Sequence, residues 1–220
     1  MKQNKSPKYK AFLFDMDGVI VDTMPYHFIS WFEVLKKYGV RVMPMTIFEM
    51  EGASWDKVIK LAYKESGIKL SKATAKKIRF EREAIFNRYF KRFIFDGVAE
   101  FVKTLKARKI KTAIVTGSSL REAKRFLPKE LYNLFDAVVA GDIVKRGKPY
   151  PDPYLTAAKI LNTKPSECLA IENAPYGIRS AKAAKIKCFA IETTLPKKSL
   201  AKADKIFVNH RELYKFVKTH

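Results

Sequence analysis

The 220-residue chain has only two cysteines, Cys168 and Cys188, each inside a short apolar run and neither part of a CxxC or a Cys/His cluster. That excludes a disulfide scaffold and a cysteine-based zinc site, and it reads as two buried, reduced thiols of a cytosolic protein. No apolar run approaches membrane-spanning length, and the basic opening MKQNKSPKYK leads into an apolar stretch that Asp15 interrupts too early for a signal peptide. A cytoplasmic location is the expectation. Acidic side chains are also in short supply, 22 against 44 basic ones, for a net charge of +22. Such a balance raises the question of nucleic acid. Yet there is no zinc finger, no RNP signature and no basic run with interleaved aromatics, and the lysines are spread over helical segments, as at Lys72, Lys76 and Lys77. The charge reads as a solvated surface that attracts small anions, and specific nucleic-acid binding is not expected. Lysine-rich surfaces also occur in hyperthermophile proteins, and compositional bias has the same effect. Internal repeats and low-complexity linkers are missing too, and the length suits one sizeable core with a modest insert.

What the chain does have is FDMDGVIVDT at Phe14 to Thr23, where Asp15 and Asp17 leave an apolar run just before Gly18. Two acids one residue apart repel each other, and a divalent cation would relieve that repulsion. The approach, YKAFLF from Tyr9 to Phe14, reads as a buried strand. A turn at Gly18 then places both carboxylates at the carboxyl edge of a sheet, where open α/β folds bind ligands. An ordinary strand end with acids facing water is the alternative. An EF-hand loop does not fit, because the later ligand positions and the closing glutamate are missing.

After about residue 95, apolar runs alternate with amphipathic segments. Strands are expected at Lys111 to Val115, Ala137 to Ala140, Cys168 to Ile171, Lys187 to Ile191 and Lys205 to Val208, the βαβ rhythm of a parallel sheet. Before Phe95 the texture differs. Phe28, Trp31, Phe32, Leu35 and Tyr38 recur at helical spacing, then Val58, Ile59, Ala62 and Tyr63, then Ile78, Ile85, Phe86 and Tyr89, as in a separate helical insert. Pro25 suits a first helical turn, and Gly39, Gly52 and Gly67 mark breaks between helices.

Three further motifs fall at expected strand ends. In VTGSS, Val115 to Ser119, the spacing of Ser119 and Glu122 is that of a capping box. The backbone amides of that turn, with the Thr116 hydroxyl, could hold phosphate oxygens at a helix start, or the segment is a plain strand-to-helix turn. In GKPYPDPYL, Gly147 to Leu155, three prolines restrict the loop that presents Lys148, which is otherwise surface decoration. A P-loop is excluded by the spacing from Gly141 and by the proline after the lysine. In IENAPYGIRSAKAAKIK, Glu172 and Asn173 end a strand, and Gly177, Ala181 and Ala184 give the next helix a narrow face for packing on the sheet. Asn173 could equally be a simple helix N-cap.

In this order and at these spacings the four motifs resemble the haloacid dehalogenase superfamily, and the insert resembles the helical cap of its subgroup containing β-phosphoglucomutase and phosphoglycolate-phosphatase-like hydrolases. The resemblance implies a Rossmann-like, doubly wound parallel α/β core, residues 1–22 and 95–220, with an α-helical cap domain at 23–94. It also implies that Asp15 is the nucleophile, Asp17 the general acid/base, Thr116 the phosphate-binding hydroxyl beside Gly117 and Ser118, and Lys148 the lysine that pairs with phosphate and nucleophile. Mg²⁺ would be held by Asp15, the Asp17 carbonyl, Glu172 and Asn173. Two departures stand out: Asn173 replaces a commoner aspartate, and Lys185 replaces a frequent glycine after the helix. In the cap, His27 matches a histidine near the acid/base of the mutase. Trp55 stands where the mutase has an arginine, and Glu83 stands near an expected lysine. Loss of those cations argues for a phosphatase of small phosphomonoesters over a phosphosugar mutase. A catalytically silent nucleic-acid-binding protein is the remaining alternative. The implied partner is a small phosphorylated metabolite, without a membrane, and no oligomeric interface is read from the sequence.

Overall fold

The structure, a computed structural model, describes residues 9–53 and 55–219; the first eight residues of the basic opening and Ser54 lie outside that range. The expected first strand begins at Ala11, and β1 (Ala11–Phe14) is buried along its whole length. Five more strands follow, β2 (Lys111–Val115), β3 (Ala137–Val139), β4 (Cys168–Glu172), β5 (Lys187–Ile191) and β6 (Lys205–Phe207). All pair in parallel, in the order β3-β2-β1-β4-β5-β6. Strands covered on both faces read as unbroken apolar runs, which accounts for the near match of expected and observed limits.

Helices cover both faces. Four of them, α1 (Met24–Lys37), α2 (Pro44–Glu49), α3 (Trp55–Glu65) and α4 (Lys72–Tyr89), form the insert. The others are α5 (Val98–Ala107), α6 (Leu120–Phe126), α7 (Lys129–Tyr132), α8 (Asp152–Ile160), α9 (Pro175–Ala183) and α10 (His210–Thr219). The alternation of β1 divides the core in two. Phe12 and Phe14 join an aromatic cluster with Phe101, Phe126, Phe189 and Tyr214. Ala11 and Leu13 face a cluster of small residues under α8 and α9, which includes both cysteines, free and buried. Each fully buried phenylalanine contributes roughly 1.5–3 kcal/mol, so the aromatic face is the heavier anchor.

The cap has a third cluster of its own, built from Trp31, Leu35, Val58, Ile59, Tyr63 and Ile78. The expected cap face holds in most positions, but Phe32 is 42% exposed and stacks on Phe28 at the surface. The two strands of chain entering and leaving the cap run side by side: Asp22 N donates to Phe93 O (2.9 Å) and Phe95 N to Ile20 O (3.1 Å). His210 ties this double crossing to α10 by a 2.7 Å bond to the Val19 carbonyl and by stacking on Phe95. Pro25 lies in the first turn of α1, and Ser119 and Glu122 form the expected capping box of α6. One alternative fails: the N-cap of α9 is Ala174, not Asn173, because the Asn173 side chain is engaged with the cap.

Candidate active site

Because β2 and β4 flank β1, connections leave the sheet in opposite directions there, and a crevice opens at the carboxyl ends of these three strands. Asp15 immediately follows β1, Thr116 follows β2, and Glu172 ends β4. Chain segments almost 160 residues apart thus meet within hydrogen-bonding distance. Gly18 makes the turn after Asp17 with φ +77°, and a Cβ there would lie 2.0 Å from Asn173 Nδ2. Both conformation and space demand glycine at this point.

Lys148 is 1% exposed, so it is no surface decoration. Its Nζ lies 2.8 Å from Asp15 Oδ1 and donates to Glu172 Oε1 at 2.7 Å. The Tyr154 hydroxyl donates to the same glutamate oxygen at 2.6 Å. Burial by itself would lower the lysine pKa, but Asp15 and Glu172 outweigh it and raise the value. Asp15 moves up as well: burial and Glu172 push its pKa well above the usual carboxylate range, against the pull of Lys148. One ammonium does not neutralise this group of acids.

Asp17 behaves differently. Burial acts to raise its pKa, but hydrogen bonds outweigh burial and hold it at about 2. Thr23 Oγ1 donates to Oδ1 at 2.6 Å, while Thr116 Oγ1 (3.1 Å) and Ser118 Oγ (3.0 Å) donate to Oδ2. His27 Nε2 lies 3.4 Å from Oδ1. The other ring nitrogen, Nδ1, meets the Arg82 guanidinium, which can only donate. His27 therefore carries its hydrogen on Nε2, directed at Asp17, and burial together with Arg82 lowers its own pKa.

The phosphate turn expected at Thr116 to Ser118 is folded on itself, with Ser118 N donating to Thr116 Oγ1 at 3.0 Å. Gly117 touches the cap: a Cβ on it would come 3.0 Å from the Gly52 carbonyl. Cap residues Met24, Trp31, Ile47, Met50, Trp55 and Val58 roof a chamber of about 50 Å³ whose floor includes Asp15, Asp17 and Ser118. Of the three cap residues singled out from the sequence, His27 and Trp55 line it.

The donor set suits a hard divalent cation. Asp15, Asp17, Glu51 and Glu172 are buried carboxylates, and Asn173 Oδ1 is a buried oxygen with no hydrogen-bond donor. Among the described residues no three His, Cys, Asp or Glu side chains already stand in metal-ligand geometry. The expected set differs in drawing on a backbone carbonyl and an amide, both oxygen donors that Mg²⁺ accepts.

Two residues of the chamber escaped the sequence reading. Glu51 is 7% exposed, and burial, followed by the charge of Asp15, raises its pKa well above the ordinary value. Arg82 is 1% exposed, stands over the rings of Trp31, Trp55 and Phe86, and has its pKa lowered by burial to about 10. A signal for Arg82 existed: with Ile78 and Phe86 it occupies the i, i+4, i+8 positions of the buried stripe of α4. Glu83, by contrast, lines a neighbouring cleft with Arg79 and Arg121. The cap thus does place a cation in the chamber, contrary to the argument from Trp55 and Glu83.

Residues 9–185 match the family model of haloacid dehalogenase-like hydrolases. A phosphorylated carbohydrates phosphatase of Thermotoga maritima is 32% identical over 180 residues, covering 81% of this chain and 82% of that protein. A fructose-1-phosphate phosphatase of Escherichia coli is 32% identical over 183 residues, covering 80% and 93%. Among solved structures, a protein of Bacteroides vulgatus provisionally assigned as a β-phosphoglucomutase superposes with TM-score 0.86 and 33% identity, covering 98% of this chain and 90% of that one.

Proposed function

The chain belongs to the haloacid dehalogenase-like hydrolases and is a phosphoric monoester hydrolase, and from that premise we propose that it is a Mg²⁺-dependent phosphatase of a small phosphomonoester acting through an aspartyl phosphate. The observation that carries the proposal is the contrast between the two acids that follow β1. Asp15 is paired with Lys148 and faces the chamber, whereas Asp17 is surrounded by four donors. One is free to attack; the other is held to exchange a proton. The cap is taken as residues 23–94 and the core as 1–22 with 95–220.

Asp15 attacks phosphorus in line, the bond to the leaving oxygen breaks, and Asp17 supplies that oxygen with a proton. Asp15, the Asp17 carbonyl, Glu172 and Asn173 would hold Mg²⁺, which would supply positive charge to offset repulsion between Asp15 and a phosphate dianion. Lys148 orients Asp15 and shares that task. Thr116 and Ser118, which now donate to Asp17, are the groups that turn to phosphate oxygens, together with the Gly117 amide. When they do so Asp17 loses two donors and its proton affinity rises, which is what the acid step requires. In the second half-reaction Asp17, left as the carboxylate by the first, takes a proton from the water that cleaves the aspartyl phosphate, with Thr23 and His27 still directed at it. The chamber has room for only a few waters, about 10–15 Å³ being needed for each, so substrate entry requires the cap to move and its return excludes bulk water.

A phosphosugar mutase is the second reading, favoured by one observation: Arg82 supplies a buried cation able to meet a second anionic group. Phosphate release by wild type and Asp15→Asn over a panel of phosphomonoesters, with Mg²⁺ and with chelator, tests the first reading. Metal-dependent release lost in the variant supports it. Sugar-phosphate isomerisation only after addition of a bisphosphate, without net release, would replace it with the mutase.

A further inference from the structure

Asn173 uses its amide one-sidedly. Nδ2 donates to both Glu51 oxygens, at 3.1 and 3.0 Å, and to Thr194 Oγ1 at 3.2 Å, while Oδ1 has no donor. A carboxylate in this place would offer an oxygen whichever way it turned. An amide turned over would offer NH₂, which repels a cation. Something must fix the rotation, and two acceptors on the Nδ2 side do so. Thr194 belongs to the core segment after β5, but Glu51 belongs to the cap, between α2 and Gly52. Half of the lock therefore arrives with the cap.

We infer that Glu51 is a positioning residue: on cap closure it locks the Asn173 amide with Oδ1 turned to the cation site, so that cation binding and cap closure favour each other. The inference rests on the Mg²⁺-dependent reading above. Linkage makes the effect reciprocal, since whatever factor closure adds to cation affinity the cation returns to the closed population. It also gives a reason for asparagine here. An aspartate would oppose the Glu51 carboxylate across the cap–core contact, and two buried like charges hold the cap open.

Reciprocal exchange tests this. Glu51→Gln, Asn173→Asp and the double variant are compared with wild type, with Mg²⁺ affinity read by calorimetry and closure by the emission of Trp31 and Trp55, which line the chamber from the cap side. Asn173→Asp is expected to bind Mg²⁺ no more tightly than wild type and to lose the Mg²⁺-induced change in emission. The double variant restores a donor–acceptor pair with its direction reversed, and is expected to regain about tenfold in affinity over Asn173→Asp together with the emission change. Tighter binding by Asn173→Asp with Glu51 intact, or additive effects of the two substitutions, would overturn the lock. If Asn173→Asp does not fold, Thr194→Val decides: loss of the core-side acceptor should weaken Mg²⁺ binding a few-fold, and unchanged affinity contradicts the inference. A wild type that releases phosphate yet binds no Mg²⁺ sinks the cation reading itself. One that binds it equally well when Glu51→Ala removes the cap-side acceptor sinks the lock alone.

Discussion

Asp15, Asp17 and Glu51 show how burial and partners divide one kind of side chain into different roles. Asp15 and Glu51 are pushed up first by burial and then by neighbouring acids, whereas Asp17 is held at about 2. The folded protein consequently binds more protons at Asp15 and Glu51 than the unfolded chain does, once the pH exceeds the ordinary carboxylate value of about 4. Stability from these two sites is present below that value and is lost as pH rises through their raised pKa values. Asp17 has the opposite sign: its contribution is present above about pH 4 and disappears as pH falls toward 2. In chelator, the melting temperature is expected to decline between mildly acidic and mildly alkaline buffer. Mg²⁺ should raise it more in the alkaline buffer, where the acids are ionised. Scanning calorimetry in the two buffers, with and without the cation, checks this; a melting temperature that climbs with pH in chelator would contradict it.

Within α9, Gly177 was expected to serve close packing on the sheet, and it does so for a chemical reason. A Cβ there would sit 1.9 Å from Glu172 Oε1. Gly→Ala in a helix usually gains about 1 kcal/mol. Gly177→Ala should instead displace Glu172, freeing Lys148 and Tyr154 from it, with loss of Mg²⁺ affinity and of most phosphate release, both measured on a variant shown to be folded by circular dichroism. The end of the same helix offers the reverse case. Lys185 has φ +59°, in the left-handed region where a side chain costs roughly 1–2 kcal/mol. Lys185→Gly should stabilise by about 0.5–1 kcal/mol after the greater freedom of the unfolded chain is discounted, raising the melting temperature by about 2 °C without altering turnover. The position lies beyond the reacting groups, so any change in kcat would speak against that separation. At α6, Ser119→Ala removes a capping box whose bonds are 2.8 to 3.3 Å long, and thermal or urea unfolding should register a cost of about 1 kcal/mol.

At the scale of the whole molecule, the charge of +22 surrounds a chamber whose own groups are mostly acidic. The surface attracts a phosphate dianion over distances that salt shortens, the Debye length being about 10 Å at 0.1 M. With saturating Mg²⁺, kcat/KM should therefore fall several-fold as salt is raised while kcat stays level; a flat profile would mean that the surface charge plays no part in capture. Local periodicity and the order of the motifs made the sheet and its active edge legible from the residues alone. Strands buried on both faces had to be apolar throughout, and motif residues at strand ends had to share one edge of a parallel sheet, so Asp15, Thr116 and Glu172 could be placed on one edge in advance, whereas Lys148, in the loop between β3 and α8, was joined to them only by the family resemblance. The cap contacts were decided only by tertiary structure. Glu51 and Arg82 carry no motif, and their function depends on which way a helix or turn rotates over the core. Even Arg82, marked by its place between Ile78 and Phe86, could have been a core-facing arginine anywhere. Pairing Glu51 with Asn173 across 122 positions of sequence required the cap to be docked, because a hydrogen bond of about 3 Å is a property of two surfaces in register.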